Sequence, residues 1–428
     1  MQYKLKNGSE VWYKQNVENE LFELHYKFPF GKGQDQKAAL AMNYLNYLGT
    51  DKMSAEQFKR ELYKLGCDFN VTVQEDKIQV SLNGLNENME ASLTLLEDLF
   101  ANVKPDENAL KDMIDGILKE RADAKLDKGT ILRMAMVSYA KYGTNSPFTN
   151  ILKEDQLKSI KPAELVLIIK GLMAIQHDVW YYGPKTKEEL TKSIEKLHKT
   201  PSQLKPPTAK IVYKEQDFTD NDVYFVEYDM VQAEMIFLSK STKYDKNLVP
   251  VAKVYNEYFG GSMNSIVFQE IRESKALAYA SRSIFNITGD VDYSNYNFSY
   301  IGAQADKLDE AMAAMKTLLD TFPKSETLFN TSKEAILNTM RTERFTKMTI
   351  LNSLETYKKL GIDYDLRKEI FPKVQAMTFD DISKFQNQYV KGQKMKILVI
   401  GSKDKLNFKN LEKYGKIREL TLKEIFGY

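Results

Sequence analysis

The sequence predicts an α+β fold built twice: two homologous domains, each a mostly antiparallel sheet covered by helices on one face. Three observations predict it. Segments that alternate apolar and polar residues are followed by long segments of helical period. A set of landmark residues recurs at one offset along the chain. A stretch holding Pro201, Pro206 and Pro207 separates the two copies, and proline at that density suits neither a helix interior nor a central strand.

The elements follow in chain order. Met1-Gln-Tyr-Lys-Leu-Lys carries no apolar leader and reads as a strand. Phe22, Leu24, Tyr26 and Phe28 share one face of the next strand, with Glu23, His25 and Lys27 on the other. Ala41, Tyr44, Leu45 and Leu48 follow helical spacing, and Gly49 is the expected C-cap. Leu93, Leu96, Leu99 and Phe100 form an apolar helix stripe that Met312, Met315, Leu318 and Leu319 repeat. Gly84 and Gly302, Pro105 and Pro323, Leu110 and Leu328, and Gly183 and Gly401 are four pairs separated by the same interval. The two glycines of the last pair close the strands Val179 to Tyr182 and Ile397 to Ile400. The expected division is a first domain over 1–199, a linker over 200–209 and a second domain over 210–428, each long enough to bury its own core.

Composition narrows the function classes. With 61 basic and 59 acidic residues, a net of +2, the chain has no global field to attract nucleic acid. Its longest apolar runs fall short of the roughly 18 residues of a membrane span. The single cysteine, Cys67, excludes an internal disulfide and a thiolate-built metal site. Only three histidines occur, His25, His177 and His198. His25 is expected to face solvent, His177 to make a structural hydrogen bond, and His198 to suit the last turn of a helix. Nothing in their spacing suggests a metal site.

The segment Phe259-Gly-Gly-Ser-Met-Asn-Ser-Ile-Val-Phe-Gln-Glu-Ile-Arg-Glu-Ser-Lys-Ala-Leu-Ala-Tyr resembles a signature of the pitrilysin/insulinase family of zinc metallopeptidases, which includes the mitochondrial processing peptidase and the core subunits of the bc1 complex. Met53-Ser-Ala-Glu-Gln-Phe, Leu65-Gly-Cys-Asp-Phe-Asn-Val and the Leu82 to Phe100 unit extend the likeness to essentially the whole chain. The resemblance implies a duplicated mitochondrial-processing-peptidase-like fold forming one half of a clamshell that closes on a peptide. One half of such an enzyme carries His-x-x-Glu-His, whose histidines grip zinc from one helix face while the Glu activates water. Here the corresponding positions are Leu40, Asn43 and Tyr44. Leucine cannot ligate zinc and asparagine is a poor base, so the motif is lost and no metal is expected in this chain.

The zincless half of such enzymes supplies an arginine and a tyrosine seven residues apart, which resemble Arg272 and Tyr279. The resemblance implies that Tyr279 hydrogen-bonds the developing oxyanion and that Arg272 orients substrate or steadies the tyrosine. Read without it, Arg272 is a helix-surface ion-pair residue and Tyr279 an aromatic at a strand start. Gly260, Gly261, Ser262 and Asn264 form a short glycine-led loop that could bind substrate or simply cap two helices. No Gly-Lys-Ser/Thr follows it, which argues against a phosphate cradle. The implied protein is a half or subunit, inactive alone, whose zinc resides in a homologous partner half and whose substrates are flexible peptides. A start without a leader suits a half lacking its upstream partner. A non-catalytic scaffold like the bc1 core subunits is the alternative. The resemblance alone suggests a bacterial envelope location, while a single cysteine is equally compatible with cytoplasm.

Overall fold

The computed structural model describes residues 1–428, and the chain divides into two compact units. The first comprises residues 1–122, 150–212 and 345–352; the second comprises 123–149, 213–344 and 353–428.

Six strands form the sheet of the first unit: β1 (Gln2–Lys4), β2 (Glu10–Gln15), β3 (Leu21–Phe28), β4 (Cys67–Val73), β5 (Ile78–Leu85) and β6 (Asp178–Gly183). Their order is β1-β2-β6-β3-β5-β4, with β2 and β6 parallel and the other neighbours antiparallel. Strict alternation along β3 sends Phe22, Leu24, Tyr26 and Phe28 into the core under the helices α1 (Gln36–Leu45), α2 (Ala55–Lys64) and α3 (Met89–Asn102). On the other face Trp12 stacks on Trp180 at 4.7 Å, and the Lys27 ammonium sits 3.2 Å from the centre of the Trp180 ring.

The second unit repeats this plan with β7 (Asp222–Glu227), β8 (Gln232–Lys243), β9 (Ala280–Asn286), β10 (Ser294–Gln304), β11 (Met395–Gly401) and β12 (Lys416–Glu419), in the order β12-β7-β11-β8-β10-β9. Both sheets are mixed, antiparallel pairs being the majority. The edge strand marks the difference between them. In the first unit the edge beside β2 is taken by β1, which precedes it and runs antiparallel. In the second the matching edge is taken by β12, which comes last and runs parallel to β7. A further layer also covers the second sheet: Ile131, Leu132, Ala135, Met136 and Phe426 pack against Ile236, Leu238, Leu398 and Ile400, opposite the helix-facing residues Met235, Phe237 and Val399.

The repeat interval needs lengthening by a single position across its centre. Helix α3 starts at Met89 and its counterpart, Leu308–Thr321, starts at Leu308. That spacing is one position longer than the spacing of Gly84 and Gly302. The backbone N–H groups held by two buried hydroxyls show the longer interval too. Tyr44 bridges the backbone of Asp106, accepting its N–H at 2.8 Å and donating to its carbonyl. Tyr258 accepts the N–H of Ser325, the counterpart of Asp106 at the longer interval, at 2.9 Å and donates to the carbonyl of Pro323. Strand periodicity explains why the difference matters, because a one-residue slip turns every side chain to the opposite face. Leu82 lies in the helix-side core. Ile301, its counterpart at the longer interval, does too, whereas the preceding Tyr300 faces the other layer. At Gly183 and Gly401, which end β6 and β11, the shorter interval holds again.

Gly49 is not a C-cap. Helix α1 ends at Leu45 with Asn46 capping it in a right-handed conformation. Gly49 is instead required by close approach, since a Cβ there would lie 2.3 Å from the carbonyl oxygen of Met53.

Candidate functional site

Helix α1 places the three lost-motif residues in surroundings unfit for zinc. Asp35 caps its start by accepting the Ala38 N–H at 2.8 Å. Leu40 is buried and apolar, Asn43 is exposed, and Tyr44 is fully buried with its hydroxyl committed to Asp106. That donor set offers no imidazole, carboxylate or thiolate.

In the second unit, Gly260 and Gly261 end a π-helical turn, Glu257–Gly261. Neither has a positive φ. Gly260 is buried against β9, where a Cβ would meet the backbone N and O of Ser283 at 2.5 and 2.6 Å. Ser262 turns inward, its hydroxyl donating to the Glu257 carbonyl at 3.2 Å and its own carbonyl accepting the Ser265 hydroxyl at 2.6 Å. Asn264 and Met263 are exposed at the tip. The glycines therefore have a packing reason, and Gly261 and the tip residues Met263 and Asn264 are the exposed part of the loop.

A second π-helical turn, Phe268–Ser274, carries Arg272. Its guanidinium lies over the Phe268 ring at 4.8 Å and its Nε is 3.5 Å from Glu273, so most of its donors remain open to solvent. Ala276 then adopts a left-handed conformation, φ 49°, uncommon for a residue with a Cβ. This turn redirects the chain into β9, with the Leu277 N–H returning to the Ile271 carbonyl and the Tyr279 N–H to the Gly302 carbonyl. Arg272 and Tyr279 thus flank one strained turn in the chain.

Tyr279 is 42% exposed. Its ring tip lies over Gly302, where an added Cβ would stand 2.6 Å from the Tyr279 hydroxyl oxygen and 2.9 Å from that of Tyr300. The hydroxyl donates to Glu234 Oε1 at 3.2 Å. Glu234 is only 3% exposed, and a buried carboxylate is costly unless paired. Lys128 Nζ pairs with it at 2.7 Å, and Arg133 reaches within 3.9 Å while covering the Tyr300 ring at 4.7 Å. Burial pushes the carboxyl up, but hydrogen bonds from Lys128 and the neighbouring tyrosines outweigh it and hold Glu234 below its ordinary range. The hydrogen bond to Glu234 raises Lys128, while burial and then the Glu234 charge raise Tyr279.

Sequence reasoning alone misses this cluster. Its one visible signal is Glu234 itself, a lone acid in the apolar run Ala233-Glu-Met-Ile-Phe-Leu. Lys128 and Arg133 approach it from a stretch far earlier in the chain, where Arg133 lies in a third π-helical segment, Thr130–Met136. Such segments recur at functional sites.

The histidines depart from expectation in two respects. His25 is buried rather than solvent-facing, 7% exposed on the face of β3 that also carries Lys27. Desolvation, reinforced by the Lys27 charge, lowers it to about 4. His177 makes the expected structural bond, its Nδ1 lying 2.6 Å from the Ile175 carbonyl. His198 caps the helix Lys187–Leu197 but points inward. Its Nε2 lies 2.8 Å from His177 Nε2, and its Nδ1 2.8 Å from Glu97, which also accepts the Tyr26 hydroxyl at 2.8 Å.

Comparison with known proteins agrees with the fold and with the absence of zinc ligands on α1. The profile of the "Peptidase M16 inactive domain" matches residues 178–335, and that of "Insulinase (Peptidase family M16)" matches residues 38–150. The chain is similar to the "Non-peptidase homolog YmxG" of Helicobacter pylori, 21% identical over 423 residues that span 92% of each chain. Its fold is similar to a peptidase M16 inactive domain from Pseudomonas fluorescens, with a TM-score of 0.75 at 15% identity over 94% of this chain and 98% of that one. The periplasmic protease PqqL from Escherichia coli gives a TM-score of 0.73 at 14% identity, this chain covering 45% of it at 94% of its own length. A duplicated mixed-sheet fold, a zinc helix without zinc ligands and matches to both profiles place this chain in the M16 (insulinase) peptidase family as a zincless member.

Proposed function

We propose that this chain is the zincless half of a two-half metalloendopeptidase. A homologous partner half binds zinc and hydrolyses the peptide bond. This half supplies chamber wall and presents Arg272 and Tyr279 to the bound peptide, Tyr279 as a hydrogen-bonding contact and Arg272 as the cation that meets charge developing in the transition state. The observation that carries the reading is Tyr279: the residue is 42% exposed, yet its hydroxyl is fixed by a buried, charge-paired Glu234. A surface tyrosine without a task has no need of a desolvated carboxylate beneath it. Arg272 adds an exposed cation with open donors on the other side of the same turn. The partner could be a separate subunit or joined in one chain, as the match to 45% of the length of PqqL suggests.

The test is hydrolysis of a flexible, fluorophore- and quencher-labelled decapeptide by the full chain mixed with a zinc-bearing M16 half. Hydrolysis should require both halves, and Arg272→Ala/Tyr279→Phe should lower kcat/KM by roughly 10²–10³. An unchanged rate in that double variant would favour a scaffold like the bc1 core subunits. One observation favours that second reading: both side chains already have a partner within the chain, Glu273 and Glu234.

A further inference from the structure

We infer that Glu234, held as a carboxylate by Lys128, is the positioning residue that decides what Tyr279 offers a peptide: a hydrogen-bond acceptor for a backbone N–H, not a donor to an oxyanion. The inference rests on the partner-half reading and narrows it. A phenol has a single proton, and a carboxylate can only accept, so the 3.2 Å contact commits that proton to Glu234. With Tyr300 hydrogen-bonding the same oxygen, the remaining lone pair of this partly exposed phenol is what is left for a ligand. Turning the O–H outward would set the phenol lone pairs against Glu234 Oε1 in a site where the carboxylate is 3% exposed, and repulsion is strong at such low local dielectric.

The charged neighbours enforce this polarity, while Tyr300 hydrogen-bonds both Tyr279 and Glu234. Lys128 at 2.7 Å and Arg133 at 3.9 Å keep Glu234 charged. Gly302 leaves the space that the phenol oxygen fills, and the Gly302 carbonyl ties down the Tyr279 backbone N–H. Arg272, whose donors are open, is then the only member of the pair able to serve developing negative charge. The two residues divide the work: Tyr279 orients the peptide and Arg272 meets the charge.

Two measurements test this. In the full chain labelled at tyrosine ¹³Cζ, the signal lost in Tyr279→Phe should shift in Glu234→Gln, because the amide can donate to the phenol and reverse its hydrogen bond. A signal that does not move would overturn the pairing, and this arm needs no partner. Should Glu234→Gln alone unfold the chain, Glu234→Gln/Lys128→Met removes both charges together. In the mixture with the zinc-bearing half, Tyr279→Phe and Glu234→Gln should each raise KM for the decapeptide by roughly tenfold while kcat stays within about twofold, the mark of lost ground-state binding. Methylating one backbone nitrogen of the decapeptide should reproduce that loss in the unsubstituted chain and add nothing in Tyr279→Phe. A fall in kcat of roughly 10²–10³ at constant KM would make Tyr279 an oxyanion donor and overturn the inference. Absence of hydrolysis in every mixture would overturn the partner-half reading instead, while the ¹³C signal still decides the Glu234–Tyr279 pairing.

Discussion

His177 and His198 face each other across 2.8 Å between their Nε2 atoms, in the core of the first unit. The Nδ1–H of His177 is spent on the Ile175 carbonyl, so its Nε2 accepts and His198 donates. Desolvation, then the nearby His198, lowers His177 to about 3. Two of the three histidines are thus locked into one hydrogen-bonded chain ending on Glu97 and Tyr26, too close together to hold a metal ion between them.

The third histidine predicts a pH dependence. His25 has its folded pKa lowered from 6.5 to about 4, so the folded state prefers it neutral. Its contribution is complete above pH 6.5 and is lost as pH falls towards 4, by roughly 3 kcal/mol at most. Urea unfolding at pH 7 and pH 4.5 should therefore show a smaller loss of stability in His25→Gln than in the unsubstituted chain. Equal losses would mean that His25 is solvated in the folded protein.

The glycine-led loop and an open helix predict opposite results for two Gly→Ala changes. Gly260→Ala would push a Cβ within 2.5–2.7 Å of Ser283, mostly backbone, and should cost about 2 kcal/mol or more. Gly116→Ala, in the open middle of the helix Glu107–Ala124 with nothing within 4 Å, should stabilise by roughly 0.5–1 kcal/mol. Thermal unfolding of both variants checks the pair.

Tyr44 and Tyr258 should be equally sensitive to losing one oxygen. Each hydroxyl satisfies a backbone N–H and a carbonyl at a helix start. Tyr44→Phe and Tyr258→Phe should each cost about 1–3 kcal/mol, read by urea unfolding. A near-zero cost for either would show that water replaces the hydroxyl there.

The turn between Arg272 and Tyr279 stores strain at Ala276. Ala276→Gly relieves the left-handed penalty and should leave the chain as stable or up to about 1 kcal/mol more stable. Partner-dependent peptide hydrolysis should nevertheless fall, because a more flexible turn holds its two flanking residues less well.

Much of the fold is legible in the sequence. The alternation of β3 and the stripes on α3 and on Leu308–Thr321 follow from local period, while the loss of zinc ligands at Leu40, Asn43 and Tyr44 is what the family resemblance implies for those residue types. What is not legible depends on contacts distant in sequence. Gly84 and Gly302 look equivalent, yet the interval between the repeats is one position longer there, and only the pleat reveals which face Ile301 takes. His25 reads as solvent-facing because its strand neighbours Glu23 and Lys27 are polar, but Lys27 is itself 4% exposed over Trp180. Gly49 reads as a cap because its contact with Met53 has no sequence signature. Glu234 stands out as a charge in an apolar strand, whereas nothing local points to its partners Lys128 and Arg133.

The most direct test of the central claim is zinc per chain after the purified protein is dialysed against trace zinc. A zincless half predicts essentially none, since Leu40, Asn43 and Tyr44 offer no ligand set. One tightly held zinc per chain would contradict it, and would mean that this chain carries a catalytic metal of its own.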